Sequence, residues 1–255
     1  MNRDFTLNAY RSLCKSILSS GFEVQTVKDY LSKNTNKDKK LVMRHDVDSL
    51  PSQALRMAKL ESDLGISSTY YFRYVDGVFD ERIIKDINNL GHEIGYHYEV
   101  LATSKGDKEV AIKLFEEALS QFRKIVNIET ICMHGSPLSK WNDLDLWESY
   151  DFKNYGIMGE AFISIDYNNT DYFTDTGRSW NGEAYNVRDV VKTNKPKIVV
   201  KSTNHLIRVL KNVNNDVSIN THPQRWHDGY LRWTIELFAQ NIKNLGKTFL
   251  KLSYK

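Results

Sequence analysis

Apolar side chains recur along this chain at two alternating periods, and the alternation sketches a fold. Phe5, Ala9, Leu13 and Ile17 recur at helical spacing before Gly21, which predicts a helix over Phe5–Ser20. A second short helix is predicted over Val27–Leu31, and the Asn- and Lys-rich run Lys33–Lys40 reads as a loop. Leu41, Val42 and Met43 open a buried strand. Pro51 begins a helix over Pro51–Leu64 whose apolar face carries Ala54, Leu55, Ala58 and Leu60. The β-branched and aromatic run Ser68–Arg73 predicts a strand, Phe79–Leu90 a helix stopped by Gly91, and His92–His97 a short strand. Asp107–Ile125 is a long amphipathic helix, Thr130–Met133 a strand and Asp143–Tyr150 a short helix. Beyond it the pattern loosens. Gly156–Ile165 and Asp171–Thr174 read as strands joined by an Asn-rich turn, and Ile198–Lys201 as a further strand. Ser202 or Thr203 caps a helix through Leu210, Val217–Thr221 is the last strand and Tyr230–Leu245 the last helix.

This alternation of strand and helix favours a parallel sheet with helices outside it. At 255 residues it points to a closed or nearly closed, distorted β/α barrel of about seven strands. A doubly wound open sheet is the competing architecture, but it usually carries a Gly-rich phosphate turn after its first strand. Here that place holds Arg44-His45-Asp46-Val47-Asp48, which lacks glycine and is anionic. No repeat, low-complexity tract or linker divides the chain. The expected organisation is one catalytic domain over residues 1–255, with residues 1–40 a helical segment packed on the barrel.

Composition narrows the function classes. The chain is 41% hydrophobic and 12% aromatic, enough for a sizeable core. Lys plus Arg total 35 against 32 Asp plus Glu, a net charge of +3, and no basic stripe suggests nucleic acid. The two cysteines, Cys14 and Cys132, lack the spacing of a disulfide framework or a zinc finger. Arg11 and Lys15 interrupt the first apolar segment, so it does not read as a signal peptide, and no apolar run is long enough to span a membrane. A soluble cytoplasmic protein is the expectation.

The reactive residues cluster by position rather than by number. Two carboxylates, an imidazole and a guanidinium crowd the end of the first strand, where burial is costly unless they pair or bind something. Arg73 ends the next strand, and His97, His134 and His222 end three later ones. In a β/α barrel these ends converge on one mouth, where active sites are built. Carboxylate plus imidazole is a plausible shell for zinc or a similar divalent ion, and a separate carboxylate and histidine can serve as base and acid. That combination points to metal-assisted hydrolysis.

The motifs at these positions resemble those of the polysaccharide deacetylase superfamily, metal-dependent carbohydrate esterases that remove N- or O-acetyl groups. The resemblance rests on His45-Asp46-Val47-Asp48, on the run GHEIGYHYEVL over Gly91–Leu101, and on Asn220-Thr221-His222-Pro223-Gln224. It implies a distorted β/α barrel, with Asp46 as catalytic base, Asp48 and His97 as metal ligands and His222 as general acid. Asp175, in the segment Asp175–Trp180, is similar to the residue that orients that acid. The resemblance implies a divalent metal, zinc first, and a carbohydrate or other small acylated substrate.

Two departures accompany it. Leu101 stands where the family's second motif histidine would be, and Cys132-Met133-His134-Gly135-Ser136-Pro137 replaces an arginine-bearing motif. His134 is the favoured third ligand, Glu99 an alternative, and loss of the metal a third account. The Gly135-Ser136 turn would let backbone N–H groups approach an oxyanion. Arg44, Arg73 and Arg178 compete to pair with Asp46, with Arg73 the better placed. Arg178, Trp180 and Trp226 are candidates for binding substrate. A cyclic-amide hydrolase on the same barrel and a metal-free carbohydrate-binding pseudoenzyme are the rival functions.

Overall fold

A computed structural model describes residues 3–32, 39–180, 186, 188 and 190–253. Of the loop expected over Lys33–Lys40, residues 33–38 lie outside the described residues, and Lys40 already belongs to a strand.

That strand, β2 (Lys40–Val47), follows β1 (Glu23–Gln25) and is the axis of the sheet. Side chains alternate along a strand, and here they divide two apolar clusters. Leu41 and Met43 pack with helices α1 (Leu7–Ser19) and α3 (Pro51–Ser62), while Val42 joins the cluster on the other face. Arg44 and Asp46 share Val42's parity and are both buried. Fully burying a Leu, Ile or Phe side chain stabilises the fold by roughly 1.5–3 kcal/mol, and both clusters contain many of these.

The other strands are β3 (Thr69–Phe72), β4 (Glu93–Tyr98), β5 (Thr130–Met133), β6 (Gly159–Glu160), β7 (Thr170–Thr174) and β8 (Asp216–Thr221). They run in the order β6-β5-β4-β3-β2-β8-β7, with every pairing parallel. β1 lies against the start of β2. Among the described residues the end strands β6 and β7 do not pair, so the curl remains an open, distorted barrel of seven strands, the expected architecture. Helices α2 (Val27–Leu31), α4 (Glu81–Asn89), α5 (Val100–Thr103), α6 (Lys108–Arg123) and α7 (Thr203–Leu210) connect the strands, and α8 (Tyr230–Ser253) ends the described chain. Among the described residues no helix is long and apolar enough to cross a membrane.

Side-chain caps set several helix starts: Thr6, Asp80, Asp107 and Ser202 each accept a backbone N–H from the first turn. Gly95 of β4 is required by packing. A Cβ there would lie 2.2 Å from the Tyr71 ring and 2.9 Å from the Thr130 carbonyl.

The structure adds β1 and α5, which the periodicity does not predict, and changes three of the expected elements. The expected strand Gly156–Ile165 shrinks to β6. The Glu160 carboxylate accepts the N–H groups of Phe162 (2.6 Å) and Ile163 (3.0 Å), which curls the chain back on itself. Burial pushes that carboxyl up to about 7, against the pull of these bonds. Ile198–Lys201 pairs with no strand among the described residues. Only Val200 of the run is deeply buried, so a single side chain anchors it to the core while Ile198 and Val199 stay exposed. The last helix continues past Leu245 to Ser253.

One buried polar cluster fastens α3 to the sheet. Glu61 accepts hydrogen bonds from Tyr10, His45 (2.9 Å), Ser68 (2.6 Å) and Tyr70 (2.7 Å), so both carboxylate oxygens are satisfied. Burial alone would raise its pKa, but His45 and these donors outweigh burial and hold it at about 2.

Candidate active site

β2 delivers its charge in two steps. Arg44 and Asp46 lie two residues apart on one face, and Arg44 Nη1 donates to both Asp46 oxygens at 2.9 and 3.2 Å. Asn220 of β8 donates to Asp46 Oδ2 at 2.7 Å. Burial works to raise the Asp46 pKa, but the Arg44 guanidinium, with His97 and His222, brings it below the ordinary value. Asp48 lies just past the strand end. Both aspartates line a cavity of about 310 Å³ together with Arg73, His97, His134 and His222.

Asp48, His97 and His134 form a group whose ligand atoms all lie within 4.8 Å of one another. Asp48 Oδ2 accepts from Gln224 Nε2 at 3.0 Å. Its Oδ1 is buried without a hydrogen-bond partner among the described residues, 3.4 Å from His97 Nε2 and 3.7 Å from His134 Nε2. The far ring nitrogens are occupied. His97 Nδ1 meets the Cys132 carbonyl at 2.9 Å, and His134 Nδ1 meets Glu99 Oε2 at 2.8 Å. Both partners are acceptors, so each histidine can hold a proton on Nδ1 and leave Nε2 to a metal ion, the arrangement that prepares a histidine to bind metal. The donor set of one carboxylate and two imidazoles suits zinc or a similar ion. A second grouping, Asp46, His97 and Cys132, is less suited: Arg44 Nη1 reaches Cys132 Sγ at 2.9 Å as well as Asp46, so a cation already faces those donors.

Across the cavity, His222 Nδ1 lies 2.6 Å from Asp175 Oδ1, and its backbone N–H donates to Oδ2 at 3.1 Å. Arg225 Nη1 donates to Asp175 at 2.7 Å and Trp226 Nε1 at 2.8 Å. Burial would raise the Asp175 pKa, but Arg225 and His222 hold it below the ordinary value. The carboxylate therefore fixes the His222 ring and leaves Nε2 toward the cavity, 3.9 Å from Asp48 Oδ2.

The structure thus brings Asp46, Asp48, Arg73, His97, His134 and His222 to one mouth, with Asp175 behind His222. Several expectations need correction. Arg73 does not pair with Asp46. It binds the Glu99 carboxylate and lies 3.4 Å from the Asp48 carbonyl, while Arg44 holds Asp46 because alternation puts the two on one face. Glu99 does not face Asp48 as a ligand but braces His134 and Arg73, which pull its pKa down to about 2 against burial. Trp180 and Trp226 do not wall the cavity. Both are buried in the cluster around Phe5 and Tyr10, and Trp226 acts through its N–H to Asp175. Arg178 stacks on Trp233, 4.5 Å from the ring centroid, and donates to the Trp233 carbonyl, outside the cavity lining. Leu101 is buried in the core, with its N–H on Asp143.

Sequence reading missed Gln224 and Arg225, which follow the His222 motif directly, and the wall contributed by α8 through Glu236, Gln240 and Lys243. Neighbourhood to a motif could have singled out the first pair. No local pattern marks the α8 residues.

No family model and no curated protein matches the chain. Among solved structures it is similar to a CE4 esterase from Streptococcus mutans, at 15% identity and TM-score 0.45 over 86% of each chain. It is also similar to the CE4 domain of a multidomain xylanase from the hindgut metagenome of Trinervitermes trinervoides, at 12% identity and TM-score 0.43 over 82% of this chain and 84% of that one. A third similar structure is a CE4 family pseudoenzyme from Bacillus anthracis, at 12% identity and TM-score 0.40 over 83% of this chain and 62% of that one.

Proposed function

We propose that the chain is a metal-dependent hydrolase that removes an acetyl group from an acylated amino sugar or related glycan precursor. The observation that carries this reading is one cavity lined by a buried, unpartnered carboxylate oxygen on Asp48 facing two histidine Nε2 atoms, beside an ionised Asp46 and an oriented His222. Asp48, His97 and His134 would hold the ion, with zinc favoured by the donor set. A divalent ion in this place supplies Lewis-acid polarisation of the acyl carbonyl and makes water more acidic. Asp46, kept ionised by Arg44, takes the proton from the attacking water. The His222 imidazole, held by Asp175, gives a proton to the departing amine or alcohol. Arg44 and Asp175 are positioning residues, acting through Asp46 and His222.

The test is acetate release from a panel of acetylated sugars by zinc-loaded full-length protein, with metal content measured alongside. Activity is expected, and Asp46→Asn and His222→Ala should each lower kcat about 100- to 10,000-fold while zinc remains bound. Zinc-loaded protein inert on every acetylated sugar but active on cyclic amides would transfer the site to that substrate class. Protein that takes up no stoichiometric divalent metal would end the hydrolase reading.

A further inference from the structure

Helix α8 is amphipathic the wrong way round for a helix packed on a core. Its polar side faces the protein: Gln240 and Asn244 are buried, and Asn244 Nδ2 donates to the Gly177 carbonyl at 2.9 Å. Trp233 Nε1 reaches the Asp4 carbonyl at 2.7 Å, and Glu236, Gln240 and Lys243 line the active-site cavity. The apolar side faces outward. Leu231 is 72% exposed, Ile235 52%, Phe238 64%, Ile242 71% and Leu245 63%. A surface helix normally turns such a stripe to the core, and a contiguous exposed apolar stripe marks an interaction site.

The spacing of the stripe identifies the occupant. The steps from Leu231 to Leu245 alternate four and three residues, and the sequence carries the same steps on to Phe249 and Leu252. That is a heptad repeat over about three heptads, with Ile235 and Ile242 at one seam position and Leu231, Phe238 and Leu245 at the other, the composition of a two-stranded coiled coil. The positions flanking the seam are Thr234 and Asn241 on one side and Arg232, Ala239 and Gly246 on the other. Apart from Arg232 they are uncharged, so two copies meet without a row of like charges. A membrane-surface helix carries Lys and Arg along its polar side, but here that side is docked on the protein and Lys243 lines the cavity. The helix has 24 residues, about 36 Å at 1.5 Å per residue.

We propose that α8 is a dimerisation helix that pairs through this stripe with α8 of a second copy of the chain. The helix that walls the active site would then be clamped between its own barrel and its partner.

The test is light scattering after size-exclusion chromatography of the full chain at about 10 μM, a concentration at which a micromolar or tighter dimer persists. Wild-type protein should show the mass of two chains. Phe238→Glu and Ile242→Asn should show the mass of one chain with unchanged circular dichroism, since both positions are exposed. Ile242→Ala, which keeps helix propensity, should weaken association at least tenfold by analytical ultracentrifugation. A one-chain wild type would overturn the proposal, as would a two-chain mass that survives all three substitutions. Flotation of one-chain protein with vesicles of phosphatidylglycerol and phosphatidylcholine would overturn it in favour of a lipid surface.

Discussion

Glu99→Gln tests whether His134 replaces the ligand absent at Leu101. In the structure Glu99 divides its two oxygens: Oε1 accepts from Arg73 and Oε2 faces His134 Nδ1 at 2.8 Å. A glutamine has one oxygen and one NH2, so it can serve only one of these donors. Whichever it abandons meets an N–H, and the negative charge beside the His134 ring is lost in either case. A hydrogen bond to a charged partner contributes about 1.5–3 kcal/mol. Loss of an outer partner of a metal-binding histidine typically costs about 10- to 100-fold in metal affinity, which is about 1.4–2.7 kcal/mol. The two figures agree, so the dissociation constant for zinc should rise by about one to two orders of magnitude. Competition titration against a chromophoric chelator measures it directly. The chemical shifts of His97 should stay in place, because its Nδ1 partner is the Cys132 carbonyl. A zinc affinity unchanged in Glu99→Gln and in His134→Ala would refute the assignment of His134 as the third ligand.

Further outcomes follow from other contacts. Arg44→Met removes the cation from a buried carboxylate and should cost about 3–5 kcal/mol of unfolding free energy. Arg73→Met, whose pair with Glu99 is 21% exposed on each side, should cost about 1 kcal/mol or less; equal losses in urea titrations would contradict the Arg44–Asp46 assignment. Glu61 has a folded-state pKa of about 2 against an ordinary value of 4.5, so it contributes about 3 kcal/mol of stability. Because the folded value lies below the unfolded one, that contribution is present above about pH 4.5 and disappears as pH falls toward 2. The stability gap between parent and Glu61→Gln, measured by urea unfolding, should therefore narrow across that window, and a gap constant from pH 7 to pH 3 would sink the account. Leu101→His places an imidazole in the core and should destabilise by about 2 kcal/mol or more without tightening zinc binding; a gain in zinc affinity would mean position 101 faces the metal after all.

The sequence made the strand-end residues readable because parallel strands carry their ends to one mouth. Asp46, Asp48, His97, His134 and His222 could be grouped from that rule without knowing any distance. The Arg44–Asp46 pair was also within reach, since alternation puts residues two apart on one face, yet Arg73 looked better placed at the end of a neighbouring strand. Trp180 and Trp226 misled for a different reason. Adjacency to a motif says nothing of direction, and the turn after His222 swings Trp226 into the core. Glu160 ended its strand through a side chain bonding its own following backbone, which hydrophobic periodicity does not register. The inward polar face of α8 depends on where the helix docks, and local pattern holds no trace of that.

Arg44 and Asp46 belong to one strand, and their separation is therefore a matter of covalent geometry and pleat rather than of tertiary docking. His134 and Glu99, by contrast, come from different segments and meet only when both are in place. The two halves of the site should accordingly fail in different ways under heat or mutation. On the proposed function, loosening of the loops after β4 and β5 would release a bound ion first and leave the ionised Asp46 still aimed at the cavity. On that same function, a variant could thus lose a bound metal without losing acid–base preorganisation, and recover it by repairing a few loop residues alone.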